Sequence, residues 1–230
     1  MSSLEIISTL AGDELLASNN PQVLAVIDAF EHASHKPESA VIETVYNLGG
    51  FYTAAGRFSH VMRLGEYAFK VSSPSSTASE EYPDDEPYTE NTAHQVSFLD
   101  SLYSHLSAIP ESGITTPRQY FAMRSARHSG CLAVQQFMDG WVILGNWTDR
   151  AYRFIGDEEA EAEAVSLSTV IKQRVGRAIG GTDLAKGLND LRLDEPTVHA
   201  RNFLVPRYHP YEPQTVPLCI IDQPKSFVLG

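Results

Sequence analysis

Residues 193–205 read Leu193-Asp194-Glu195-Pro196-Thr197-Val198-His199-Ala200-Arg201-Asn202-Phe203-Leu204-Val205, and residues 218–224 read Leu218-Cys219-Ile220-Ile221-Asp222-Gln223-Pro224. Each segment combines a short apolar run with polar groups, which predicts a short strand meeting a loop. The strands are expected at Phe203–Val205 and Leu218–Asp222. The stretch between them holds Pro206, Pro210, Pro213 and Pro217, so it reads as a loop. An aspartate after an apolar strand can hold a divalent ion that bridges nucleotide phosphates. It can equally cap a turn. Taken alone, the segment leaves both readings open.

Working upstream, the 157–179 region predicts one long helix. Its first turn is acidic (Asp157, Glu158, Glu159) and its last turns carry Lys172, Arg174 and Arg177, which suits the helix dipole. Gly180-Gly181 ends it, and a short helix over Asp183–Leu191 follows. Farther back, Arg118–Ser125 and Cys131–Phe137 read as two strands joined by a turn at Arg127-His128-Ser129-Gly130. Asn91–Leu106 reads as a helix, with Val96, Leu99, Leu102, Tyr103 and Leu106 on one face. Residues 73–89 are rich in Ser, Pro, Asp and Glu and read as an exposed loop. Before that loop, Val45–Phe51, His60–Leu64 and Tyr67–Val71 read as an antiparallel meander, with Gly65-Glu66 as a two-residue turn. Within it, strand alternation puts Lys70 on the opposite face from Phe69 and Val71. A solvated strand lysine explains that pattern as well as a phosphate ligand does.

The N-terminal region, residues 3–34, reads as helical, with Leu4, Ile6, Ile7, Leu10, Leu15 and Leu16 at helical spacing. Pro21 opens a second helix carrying Val23, Leu24, Val26, Ile27 and Phe30. The chain has 230 residues, 43% hydrophobic and 20% charged, which is enough to bury a core in one domain or two small lobes. A formal net charge of −12 argues against non-specific nucleic-acid binding and against docking on anionic lipid. No apolar run is long enough to cross a bilayer, and the first ten residues lack the basic start of a secretory signal. The expected location is therefore cytoplasmic, with export by a route that leaves no cleaved signal left open. Cys131 and Cys219 fall in apolar runs and are expected as buried free thiols. The eight histidines show no His-x-x-x-His pair with an intervening Glu, so a metal hydrolase is not expected.

Four segments, in order, resemble protein kinases and related small-molecule kinases. Ala54-Ala55-Gly56-Arg57-Phe58-Ser59-His60-Val61 has the cadence of the kinase glycine-rich loop and keeps Gly56, Phe58 and Val61. Tyr67-Ala68-Phe69-Lys70-Val71 is similar to the strand that carries the phosphate-binding lysine. Val198, His199, Asn202, Leu204 and Val205 match the catalytic loop, and Ile221-Asp222 matches the strand that ends in a metal-binding aspartate. The resemblance covers about residues 45–225, and small bacterial YrbL-like proteins look most similar within the group. It implies an α+β, two-lobed fold. The N-terminal lobe (41–138) would hold a five-stranded antiparallel sheet and one helix. The C-terminal lobe (139–230) would be reduced and mostly helical, and residues 1–40 would form a helical extension.

The resemblance also implies ATP and Mg2+ as cofactors, and a protein acceptor or partner. Lys70 would contact the phosphates beneath a loop containing Gly56, Phe58 and Ser59. Asn202 and Asp222 would hold Mg2+. The hinge would run from Gln135 to Asp139, with Gln136 and Met138 meeting adenine through their backbone. Two departures stand out. Gln95 sits where the lysine's glutamate partner is expected, and it can hydrogen-bond Lys70 without neutralising it. Thr197 occupies the position of the catalytic aspartate, and a threonine cannot be an anionic base. Asp194 and His199 are the nearby candidates to replace it; a loop cap and a packing residue are their plainer readings. Transfer of a phosphoryl or adenylyl group, and a catalytically inactive pseudokinase acting as an interaction module, are both consistent with this pattern.

Overall fold

The computed structural model describes residues 4–34, 36–55, 59–72, 88–125, 127–128, 130–144, 158–185, 202–210 and 212–221; side chains at 4, 54–55, 88–95 and 158–164 are not described. Within these limits the chain is a mixed α/β protein that divides into two compact units. One comprises residues 1–97 and 118–137, the other 98–117 and 138–230.

The first unit is built on a six-stranded antiparallel sheet in the order β1-β6-β7-β4-β3-β2, with β1 (Leu4–Ser8), β2 (Phe51–Ala55), β3 (His60–Leu64), β4 (Tyr67–Ser72), β6 (Gln119–Ser125) and β7 (Cys131–Gln136). One expectation is corrected here: Leu4–Ser8 is a strand rather than the start of a helix, and it adds a sixth strand to the five that lie within residues 41–138. It pairs with β6 from Leu4↔Ser125 to Ser8↔Phe121. The apolar residues of that stretch fit a helical stripe, but the free edge of β6 offers a backbone ladder, and a short run takes the state its partner provides. Helix α1 (Leu10–Ala17) begins one residue later. Its cap Thr9 accepts from the Gly12 N–H, and the Thr9 hydroxyl donates to the Gln119 carbonyl at 2.8 Å.

Helices α2 (Pro21–His32) and α3 (Pro37–Asn47) follow, each with proline in its first turn. The expected strand at Val45–Phe51 is therefore displaced. Val45 belongs to α3, and the strand starts at Phe51 after Gly49 and Gly50 turn the chain. Gly49 has φ +84°, a conformation that suits glycine. Val23, Val26 and Phe30 of α2 and Val41 and Val45 of α3 are buried with Met62, Phe69, Val71, Phe121, Met123, Leu132 and Val134. These helices thus cover one face of the sheet. The predicted turn at Gly65-Glu66 joins β3 and β4, and Gly65 takes φ +60°.

The second unit holds a four-stranded sheet in the order β5-β10-β9-β8: β5 (Ile114–Thr115), β8 (Trp141–Ile143), β9 (Phe203–Pro206) and β10 (Leu218–Ile220). The β10–β5 pair is parallel and the others antiparallel. Its core combines Phe98, Leu99, Leu102 and Leu106 of α4 (Tyr88–Ser107) with Leu167, Ile171, Val175 and Ile179 of α5 (Glu158–Ile179) and with Phe203, Val205, Leu218 and Ile220 of the sheet. The long helix expected over 157–179 is present as α5. Of the short helix expected at Asp183–Leu191, a single 3-10 turn over Asp183–Ala185 is described. Both cysteines are buried free thiols. Among the described residues, no helix is long and apolar enough to cross a membrane.

Candidate functional site

Lys70 lies on β4, which is central in its sheet, and is half-buried between fully buried neighbours. Its register partners are Val61 on β3 and Ala133 on β7, and Ala133 pairs in turn with Ala122 on β6. Directly opposed residues of antiparallel strands share a face. Lys70 therefore stands in a row with Val61, Ala133 and Ala122, and Ala68 lies two residues along the same face. This is the face opposite Phe69 and Val71, and so opposite α2 and α3. Val96 of α4 packs on it against Ala122, Cys131 and Ala133. The ladder is locked by five β3–β4 pairs and six β4–β7 pairs, so Lys70 cannot change faces without shifting the whole sheet.

The other predicted positions of the first unit divide cleanly. Ser59 is half-buried just before β3. Gly56 and Phe58 lie outside the described residues. Gln95 is in α4, with a side chain that is not described. Gln136 ends β7 and is exposed. Its N–H donates to the Arg118 carbonyl at 2.8 Å, and its Oε1 accepts from the Arg118 N–H at 3.3 Å. The Phe137 N–H donates to the Glu66 carbonyl at 2.7 Å. The Arg63 guanidinium lies 4.4 Å from the Phe137 ring centroid and 5.5 Å from that of Phe51. Arg63 escaped the sequence reading because nothing local marks a strand arginine as stacked between rings that are distant in sequence.

In the second unit, Met138 is half-buried, and its carbonyl accepts from the Trp141 N–H at 3.4 Å. Asn202 is half-buried at a bend directly before β9. Its carbonyl accepts from the Ile221 N–H at 3.0 Å, extending the β9–β10 ladder by one pair beyond Phe203↔Ile220. Two positions separated by a Pro-rich loop thus meet at one strand end, and Asp222 is the next residue in the chain. Asp222, Asp194, Thr197 and His199 lie outside the described residues. No group of three or more His, Cys, Asp or Glu side chains forms a metal site among the described residues.

The β10 strand is framed on every side. β9 flanks it on one edge and β5 on the other. The Leu218 N–H donates to the Gly113 carbonyl at 2.9 Å. The Thr116 hydroxyl, 1% exposed, donates to the Ile220 carbonyl at 2.7 Å. Pro117, the next residue that would donate along a parallel ladder, has no N–H, so the hydroxyl takes over its role. Inside the strand, burial pushes the Cys219 thiol far above its ordinary range, so it stays protonated and inert.

No family model matches the sequence, and no curated protein matches it. Three chains of solved structures match. One is described as WaaP in complex with acyl carrier protein; it is 14% identical, with a TM-score of 0.36 over 79% of this chain. The match spans 63% of that structure's chain. At this identity and score it decides neither fold nor chemistry.

Proposed function

We propose that this chain is a kinase-like domain that binds ATP with Mg2+. The observation that carries the reading is the Ile221 N–H to Asn202 carbonyl bond of 3.0 Å. It sets position 202 beside position 221, one residue before an aspartate. Mg2+ takes hard oxygen donors together with phosphate oxygens, and the amide oxygen of Asn202 and the carboxylate of Asp222 would supply two of them. The bound ion would neutralise phosphate charge. The chain's own residues do the rest. Lys70 would pair with phosphate oxygens, and Val61 and Ala68, on the same face, would offer apolar surface to the base. Gln136 and Met138 would be the hinge positions; the Gln136 and Phe137 N–H groups and the Met138 carbonyl are engaged within the fold, so the base would meet the N–H of Met138. Gly56, Phe58 and Ser59 would lie over the phosphates, and Gln95 would hydrogen-bond the lysine.

Transfer of a phosphoryl or adenylyl group to a protein acceptor follows if Asp194 or His199 serves the acceptor hydroxyl near Thr197. One observation favours a second reading, that of a pseudokinase which binds nucleotide and a protein partner without transfer: the residue at the base position is Thr197. Thermal denaturation with MgATP tests the common core, because a ligand that binds only the folded state must raise Tm. A rise that is lost in Lys70→Met and Asn202→Ala supports the reading. An unchanged Tm of the folded wild type at millimolar MgATP defeats it. Label transfer from γ- or α-labelled ATP then separates phosphoryl transfer, adenylyl transfer and pure binding.

A further inference from the structure

Helix α5 turns Leu167, Ser168, Ile171, Arg174, Val175 and Ile179 inward, a stripe at helical spacing that contains one guanidinium. Arg174 is one of the basic residues near the helix end that suit its dipole, yet it is 6% exposed. Its Nη1 donates to the Val216 carbonyl at 2.7 Å and to the Pro213 carbonyl at 3.1 Å. The guanidinium also packs on Gly113, where an added Cβ would stand 3.3 Å from Nη2. Burial and the neighbouring Arg177 both lower its pKa. A cation kept in a core against that pressure is held by what it binds, here two main-chain carbonyls.

These carbonyls end the turn that delivers the chain into β10. The Thr215 and Val216 N–H groups donate to the Glu212 carbonyl at 3.0 and 2.9 Å, and Thr215 Oγ1 donates to Glu212 Oε2. The turn leaves the Pro213 and Val216 carbonyls pointing at Arg174. Two residues on, the Leu218 N–H is taken by Gly113, the glycine under the same guanidinium. Arg174 thus binds the turn and rests on the glycine that receives the first residue of β10. From Leu218 the strand runs without slack to the Ile221–Asn202 pair.

We infer that Arg174 is a positioning residue, clamping the entry of β10 so that the Asn202–Ile221 strand end is presented in one fixed register. The clamp stands on the contacts above. Its consequence for Mg2+ rests on the proposed function. A lysine offers one ammonium to the two carbonyls but lacks the flat guanidinium that packs on Gly113, so it reproduces the clamp only in part.

The test compares Arg174→Met and Arg174→Lys with Arg177→Met, an exposed neighbour, as control. Amide hydrogen exchange is the first readout. The inference expects faster exchange at Val216, Leu218 and Ile221 in both Arg174 variants, smaller in Lys, with α4 and α5 amides near wild type. The control should match wild type. Should Arg174→Met fail to fold, Arg174→Lys alone carries the comparison. Uniform loss of protection throughout the second unit, or no loss at 216–221, overturns the clamp. The second readout is the Mg2+ dependence of ATP binding. Arg174→Met should weaken apparent Mg2+ affinity by ~10-fold, as loss of supporting partners around metal ligands does. Metal-free ATP binding should be unchanged. If exchange rises locally but Mg2+ affinity does not move, the positioning role is overturned. If wild type binds no MgATP, the nucleotide reading fails while the exchange readout still decides the clamp.

Discussion

Replacing Thr116 by valine isolates a single buried hydrogen bond. The two side chains are nearly isosteric, so Thr116→Val opens no cavity and changes the hydroxyl alone. That hydroxyl donates to the Ile220 carbonyl at 2.7 Å in a site 1% exposed. Pro117 cannot supply a replacement N–H, and water has no access, so the carbonyl loses this donor. A buried polar group left without its partner costs about 1–3 kcal/mol. Taking about 2 kcal/mol, and a shift of roughly 2–4 °C per kcal/mol for a chain of this size, Tm should fall by about 4–8 °C. Thr116→Ser keeps the hydroxyl and drops one methyl, worth about 0.8 kcal/mol. Valine should therefore be clearly worse than serine. Differential scanning calorimetry with urea titration provides the assay. A valine variant within about 0.5 kcal/mol of wild type, a value typical of neutral surface changes, refutes the reasoning. So does a serine variant as unstable as valine, since the methyl and not the hydroxyl would then be what matters.

Phe121 is fully buried among Phe69, Met123 and Val134 under the N-terminal helices, so Phe121→Ala should cost about 3–5 kcal/mol in urea unfolding. A Cβ on Gly12 would stand 1.9 Å from the Tyr120 carbonyl oxygen, so Gly12→Ala should cost about 1–3 kcal/mol despite the better helix propensity of alanine; an equal or higher Tm would show that α1 can move away. The Cys219 thiol is raised from its ordinary 9.0 by burial, so the folded state holds its proton where the unfolded chain releases it. Its contribution is intact below pH 9 and is lost as pH rises above that value, and the native thiol should resist iodoacetamide at pH 8 and react once unfolded.

The sequence by itself determined the elements whose signals are local. The turn at Gly65-Glu66, the long α5 helix with its Gly180-Gly181 stop, the pair of strands around 118–137 and the two buried thiols all follow from spacing, caps and composition within a few residues. The alternation that sets Lys70 against Phe69 and Val71 is of the same kind. Only the tertiary structure decided matters of partnership. Leu4–Ser8 became a strand because β6 had a free edge, and Val45 stayed helical because α3 buries it against Met62 and Phe69. Arg174 read as one of three basic residues near a helix end, and its place in the inward stripe is explained by the Pro213 and Val216 carbonyls that face it. Likewise, nothing in residues 202–221 states that the two ends of a Pro-rich loop lie side by side. Backbone pairing between distant segments is worth little until the chain has closed the loop, and its register is fixed by what the strands bury on both faces.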